Sequence, residues 1–181
     1  MGKPIPEISP DLAEWLARQH IFFVATAPTV VDGHINCSPK GGDAFRVLGP
    51  KSVAYVDYHG SGAETAAHLR DNGRIVLMFC ALDGSPRVAR LHGRGEVIEP
   101  GHADFASLAN RFPGHPGLRS IVRVTVARVS TSCGYGVPLF DYRGERDTLI
   151  RWAETKGPDG LRTYRETKNR KSIDGLPALE S

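Results

Sequence analysis

Apolar and polar residues alternate with period two over much of the first 130 positions. This alternation predicts six strands, at 21–27, 34–38, 52–58, 74–82, 87–98 and 120–130. Most of these runs are rich in Val, Ile, Phe and Tyr, which suit a pleated, half-buried surface. Asp32-Gly33 and Asp83-Gly84 fall between consecutive runs where a hairpin would turn, so the neighbours are expected to be antiparallel. Helical spacing precedes the strands once and interrupts them twice. Ser9-Pro10-Asp11 supplies a cap, a proline at the first helical position and a first-turn acid, and Leu12, Trp15 and Leu16 then share one face of a helix running to His20. Two further helices are predicted at 63–71 and 102–111. So many strands with so few helices predict a mainly β fold, a six-stranded antiparallel barrel with helices at its mouth and side.

Beyond residue 130 the pattern becomes helical. Asp147, Leu149, Ile150, Trp152 and Ala153 mark one helix, and Asp159, Leu161, Tyr164 and Arg165 a second. The ETKNRK stretch reads as a solvated helix end whose cations complement the dipole. The glycines between Cys133 and Pro138 either let a ligand or partner approach the backbone or make a tight turn into the tail. The chain is therefore divided into a barrel at 1–130 and a C-terminal extension at 131–181, lying over its own barrel or over a partner subunit.

Composition narrows the class. A chain of 181 residues, 40% hydrophobic and 24% charged, buries a core of its own. Its net charge of +3 comes from basic residues spread along the chain, which gives no nucleic-acid footprint. The amino-terminal stretch has no apolar core of signal-peptide length and no run approaches a membrane span, so a cytoplasmic protein is expected. Cys37, Cys80 and Cys133 show no CxxC spacing and indicate neither a disulfide framework nor a zinc site; Cys80, within LMFCA, reads as a core residue.

Candidate chemistry concentrates at 52–69, SVAYVDYHGSGAETAAHL, where an alternating strand empties into a small-residue loop that opens a helix. Tyr58, His59, Gly60, Ser61 and Gly62 leave little bulk, so backbone N–H groups, the Ser61 hydroxyl and the first helical turn through Thr65 form an anion site. An ordinary capped turn has the same composition, and Glu64 in the first turn answers the dipole and repels a phosphate unless it faces away. A second polar loop follows Ser38, where Pro39 removes a donor and Lys40-Gly41-Gly42 turns tightly; Lys40 and Arg46 are candidate anion partners, while Asn36 and Cys37 need no special role. In RVARLHGRGEVI, period two sets Arg87, Ala89, Leu91 and Gly93 against Val88, Arg90, His92 and Arg94, with Gly93 and Gly95 at bulge positions. Arg87, on the otherwise apolar side, needs an anion or carbonyl partner.

The ordered segments FFVATA, GHINCSPKG, FRVL, VAYVDYHGSGAETAAHL, NGRIVLMFCA and PRVARLHGRGEVI resemble the pyridoxamine 5'-phosphate oxidase-like family of flavin-binding split barrels, over roughly 10–130. The tail resembles a bacterial branch of that family with unassigned substrates. The resemblance implies a six-stranded split barrel, a homodimer and FMN held in clefts at the dimer interface. It assigns Ser38, Pro39, Lys40 and Gly41 to the flavin ring and ribityl chain, the 58–65 loop with Tyr58, Ser61, Gly62 and Thr65 to the phosphate, and Arg87 and Arg90 to the strand alongside the flavin. Two departures from pyridoxamine oxidase itself argue against vitamin B6 as substrate. Gly62-Ala63-Glu64-Thr65 stands where an Arg-Lys pair follows the serine, and Asp174-Gly175-Leu176-Pro177 replaces the C-terminal Arg-Leu-x-Pro segment. Either Lys40, Arg87 or Arg90 from across the cleft then replaces the missing phosphate cations, or the cofactor is held weakly. No nucleophile with an assigned base is recognisable, which suits a flavoprotein oxidoreductase acting on a small organic molecule. The alternatives are a non-catalytic flavin-binding or storage module, a deazaflavin protein, or a haem protein using His59, His68 or His92.

Overall fold

The computed structural model describes residues 5–180. The first helix, α1 (Pro10–Ala17), starts as the sequence predicts, with the Leu12 N–H donating to Ser9 Oγ at 3.2 Å and Leu12 and Leu16 buried. Seven strands follow: β1 (Phe22–Thr26), β2 (Asn36–Lys40), β3 (Phe45–Gly49), β4 (Ser52–Tyr58), β5 (Arg74–Cys80), β6 (Val88–Ile98) and β7 (Leu118–Ser132). Helix α2 (Glu64–Asn72) lies between β4 and β5, and the short α3 (Phe105–Ala109) between β6 and β7. All strand pairings are antiparallel, in the order β2-β1-β5-β6-β7-β4-β3.

The expected six-stranded barrel is corrected in two respects. FRVL forms a strand of its own, β3, paired to β4, so the sheet has seven strands. Its four apolar and basic residues are too few for a periodicity argument, and β4 supplies the ladder that makes them a strand. The sheet is also not a closed barrel, because among the described residues β2 and β3 do not pair with each other. It curls instead until side chains meet: Phe22 of β1 and Phe45 of β3, near opposite ends of the strand order, have ring centroids 5.5 Å apart, and Phe79 lies within 4.9 Å of Phe45. Around these rings Val24, Val53, Tyr55, Leu77, Leu91, Ile98 and Ile121 fill one core.

Two local features follow from residue chemistry. The β6–β7 register shifts between His92 and Gly93, as the glycine pattern predicts; a Cβ on Gly93 would run into the Thr125 carbonyl. In β2, Pro39 is tolerated because β2 is an edge strand and its outer side needs no donor. Ser38 therefore sits in mid-strand rather than at a strand end.

The tail folds onto this body. Helix α4 (Thr148–Lys168) is broken at Gly157, whose φ of 64° precedes Pro158, giving the two helical arms that the sequence predicts. Trp152 and Tyr164 would be about 18 Å apart along a continuous helix, yet their rings meet edge-on at 5.1 Å, so the arms fold back on each other. Beyond α4, Ala178 and Leu179 pack on Ala63, Ala66 and Ala67, and Asp174 accepts hydrogen bonds from the His34 N–H and Nδ1. Cys80 is only half-buried and lines a cavity, so it is not the core residue that its apolar flanks imply.

Candidate functional site

The curl of the sheet brings edge strand β2 to β4 at the far end of the strand order, and charged side chains join them. Lys40 Nζ donates to Asp57 Oδ1 at 2.8 Å, and Arg119 Nε of β7 donates to Asp57 Oδ2 at 2.8 Å. Burial pushes the Asp57 carboxyl up, but the two cations beside it outweigh that effect and hold it far below the usual carboxylate range. Two cations against one carboxylate leave this cluster with a net positive charge.

Arg119 also shapes the loop between β4 and α2. Its Nη2 donates to the Gly62 carbonyl at 2.8 Å and its Nη1 to the Gly60 carbonyl at 3.3 Å, while Asn169 Nδ2 of the tail donates to the Gly60 carbonyl at 2.9 Å. In a trans peptide the C=O and the following N–H point in opposite directions. Holding the carbonyls of Gly60 and Gly62 from within therefore turns the Ser61 and Ala63 N–H groups away from Arg119, and no acceptor among the described residues takes them, the Ser61 N–H standing at the exposed tip and that of Ala63 buried beneath Ala178 and Leu179. The feature that opposes an anion is Glu64: its carboxylate folds back against Gly62 and accepts the Ile173 N–H at 3.3 Å.

A second polar row runs along the inner face of β2. Ser38 Oγ donates to Asn36 Oδ1 at 2.9 Å, and Asn36 Nδ2 donates to Thr65 Oγ1 at 3.0 Å and to Thr26 Oγ1 at 3.3 Å. Thr26 Oγ1 and His68 Nδ1 share a bond of 2.9 Å. Asn36 thus joins Ser38 to Thr65 and has the structural role that its sequence context does not reveal. Burial lowers the pKa of His68 and of His59, whose Nδ1–H donates to the Gly117 carbonyl at 2.9 Å. Both are buried with a ring nitrogen committed to a protein partner, which leaves neither facing an open cleft.

Pro39, Lys40, Gly41 and Tyr58 open onto a cavity of about 1150 Å³ roofed by residues of the tail. Tyr58 stacks on His115 at 3.9 Å. Of the ten residues marked in the sequence, Ser38, Pro39, Lys40, Gly41, Tyr58, Ser61, Gly62 and Thr65 therefore lie on the cavity, on the adjoining loop or in the network between them. Arg87 and Arg90 do not. The loop adjoins the end of β7 at Leu118, beside Ile98 of β6, whereas Arg90 opposes Ser130 at the other end of the ladder. Eight residues of strand put Arg90 about 26 Å from Ile98, and Arg87 is farther still. Within one protomer neither reaches the loop. Arg87 lies over the Trp15 ring at 4.9 Å, an aromatic partner in place of the expected anion or carbonyl, and Arg90 Nη1 reaches Ser132 Oγ at 3.4 Å. Asp57 and Arg119 are the residues the sequence reading missed. Asp57 has a signal, the one charge in strand β4, which calls for a partner of opposite sign, but Arg119 is one of three arginines in β7 and nothing in the sequence singles it out.

The curled antiparallel sheet is a known fold. HupZ of Group A Streptococcus shares it with a TM-score of 0.55 and 21% identity, over 70% of this chain and 94% of that one. A candidate pyridoxamine 5'-phosphate oxidase of Lactobacillus delbrueckii shares it with a TM-score of 0.51 and 15% identity, over 70% and 95%. Residues 8–133 match the family model described as pyridoxamine 5'-phosphate oxidase. Over 191 aligned positions the chain is 40% identical to the pyridoxamine 5'-phosphate oxidase family protein ustO of Aspergillus flavus, covering 96% of this chain and 76% of that protein. The chain belongs to the pyridoxamine 5'-phosphate oxidase family.

Proposed function

We propose that this protein binds FMN in the split between β2 and β4 and acts as an oxidoreductase on a small organic molecule. The observation that carries the reading is the loop held by Arg119 and Asn169, whose outward Ser61 N–H and hydroxyl adjoin a net positive Lys40–Asp57–Arg119 cluster. Unpaired backbone donors of this kind suit a phosphate. Glu64 is the one side chain that opposes it, and the loop accommodates a phosphate once that carboxylate swings off Gly62. Family membership supports the same reading.

In this reading FMN, when bound, supplies the hydride and electron chemistry through its ring. The chain's own residues bind and orient. The Ser61 N–H and hydroxyl would hold the phosphate, and the Ser38–Asn36–Thr65 hydrogen bonds fix the face of β2 that would support the ring. Lys40, pinned at one donor by Asp57, keeps a positive potential beside the ring with its other donors free. The split is open on one side, and a homodimer in which a second copy covers it completes the proposal.

Calorimetric titration of flavin-free protein tests this. FMN is expected to bind at least about tenfold more tightly than riboflavin, the effect of one charge-assisted phosphate interaction. Equal affinities would remove the phosphate assignment. Stopped-flow mixing of the FMN-loaded protein with NADPH then separates an oxidoreductase, in which the flavin bleaches, from a flavin store, in which it does not. Sedimentation at micromolar concentration is expected to show a dimer, and a monomer with FMN bound would count against the covered split.

A further inference from the structure

We propose that the cavity between the end of β2 and the tail segment 140–150 is the substrate chamber, and that its substrate is a planar aromatic acid. The proposal rests on the flavin reading for the neighbouring site, while its own argument comes from the cavity walls. At about 1150 Å³ the space exceeds the range of about 300–1,000 Å³ usual for one drug-sized ligand, so it has room for a flavin ring and a second molecule beside it.

The walls define the class. Two aromatic pairs face the space: Tyr58 on His115, and Tyr142 on His20 with ring centroids 3.5 Å apart and planes within 1° of parallel. His20 covers one face of Tyr142, which remains 49% exposed and so keeps surface for contact with a planar ring. Val56 and Ile21 add apolar surface. Every other Asp, Glu, Lys or Arg lining the space is exposed, Glu145 among them beside Gly41 and on the Tyr142 hydroxyl, and Lys40 alone is half-buried. The charge that a bound molecule meets inside is therefore positive and belongs to a cluster with a net positive charge. An aromatic acid satisfies both features, with its ring on Tyr142 and its carboxylate on the free donors of Lys40. A cationic ligand would meet repulsion there, and a sugar would leave the aromatic faces unused.

The roof is a built structure. The Phe140 N–H donates to the Leu82 carbonyl at 2.8 Å, and Tyr142 Oη donates to Glu145 Oε1 at 2.8 Å, so the segment is tied to the β5–β6 turn and braced within itself. It lies beyond residues 8–133, the stretch that matches the family model, which makes it the part of the chamber that distinguishes this chain's substrate.

The probes are 2-naphthoate, its neutral amide and 2-naphthylmethylammonium, titrated calorimetrically into flavin-free protein and, through the flavin absorbance, into FMN-loaded protein. Naphthoate is expected to bind about tenfold more tightly than the ammonium, and Tyr142→Ala to weaken naphthoate about tenfold while FMN affinity stays within about twofold. Tyr142→Phe, which keeps the ring, is expected to retain naphthoate affinity. Equal affinities for the three probes, no naphthoate binding at millimolar concentration, or naphthoate binding indifferent to Tyr142→Ala would overturn the proposal. Protein that binds naphthoate with this Tyr142 dependence but takes up no FMN would uphold the chamber and sink the flavin reading alone.

Discussion

The sheet is joined in two ways, and the contrast locates the chemistry. Between β6 and β7 a ladder runs from Val88 opposite Ser132 to Ile98 opposite Ile121, interrupted by one bulge, and the side chains at its heart are Leu91, Val124, Val126 and Val129. Between β2 and β4 no ladder forms among the described residues, and Lys40, Asp57 and Arg119 make the connection. Where backbone hydrogen bonds hold two strands together, the side chains are free to be apolar. Where the backbone leaves a gap, charged side chains close it, and their spare donors and charge remain for a ligand. Structural closure and the candidate binding site thus share Lys40 in this protein.

The most severe way to break the contrast is to remove the central carboxylate. Asp57→Ala leaves two buried or half-buried cations without their partner and is expected to cost about 3–5 kcal/mol in urea unfolding at neutral pH. Large-to-small changes in the β6–β7 ladder, such as Val124→Ala, are expected to fall below that, because they remove only packing. If Asp57→Ala proves the milder of the two, the charges do not hold the split together.

The same carboxylate sets an acid limit. Its folded-state pKa is depressed, so its stabilising contribution is complete above the ordinary carboxylate value of about 3.9 and is lost as pH falls from there toward the folded value. Unfolding free energy of the wild type is therefore expected to drop more steeply between about pH 5 and pH 2 than that of Asp57→Asn. Parallel slopes would mean that other groups govern the acid limb.

Two smaller effects sharpen the comparison at the ligand. Glu64→Gln removes the negative charge lying on Gly62 and is expected to tighten FMN about twofold to fivefold, the size of a helix-terminus charge effect, without changing riboflavin affinity. A variant that gains for both flavins would point to relief of sterics rather than charge. Arg87→Ala should leave FMN affinity within about threefold and lower stability by only about 0.5–1 kcal/mol through loss of its contact with Trp15. Arg90→Ala should do no more to FMN affinity, and a tenfold loss from either would require a partner subunit to bring that arginine to the loop.

Much of this architecture was readable along the chain because it depends on neighbours in sequence. The period-two runs, the capped start at Ser9, the Gly93 bulge and the two helices of the tail are local decisions of backbone geometry and side-chain patterning. The small-residue loop and the polar turn after Ser38 were legible for the same reason, since Gly, Ser and Pro announce what the backbone can do. Which residues converge there was decided only by the tertiary structure. Arg119 lies 62 positions from Asp57, and Lys40 lies 17 positions from it on a strand at the other end of the sheet order. Period two assigns a side chain to a face but says nothing of its height along the sheet, so Arg87 is suitable by its face yet stands, within one protomer, at the end of its strand far from the loop. Composition and periodicity thus determined the elements and the kind of loop, whereas sheet curl and register decided which charges meet, because both are set by contacts between segments far apart in the chain.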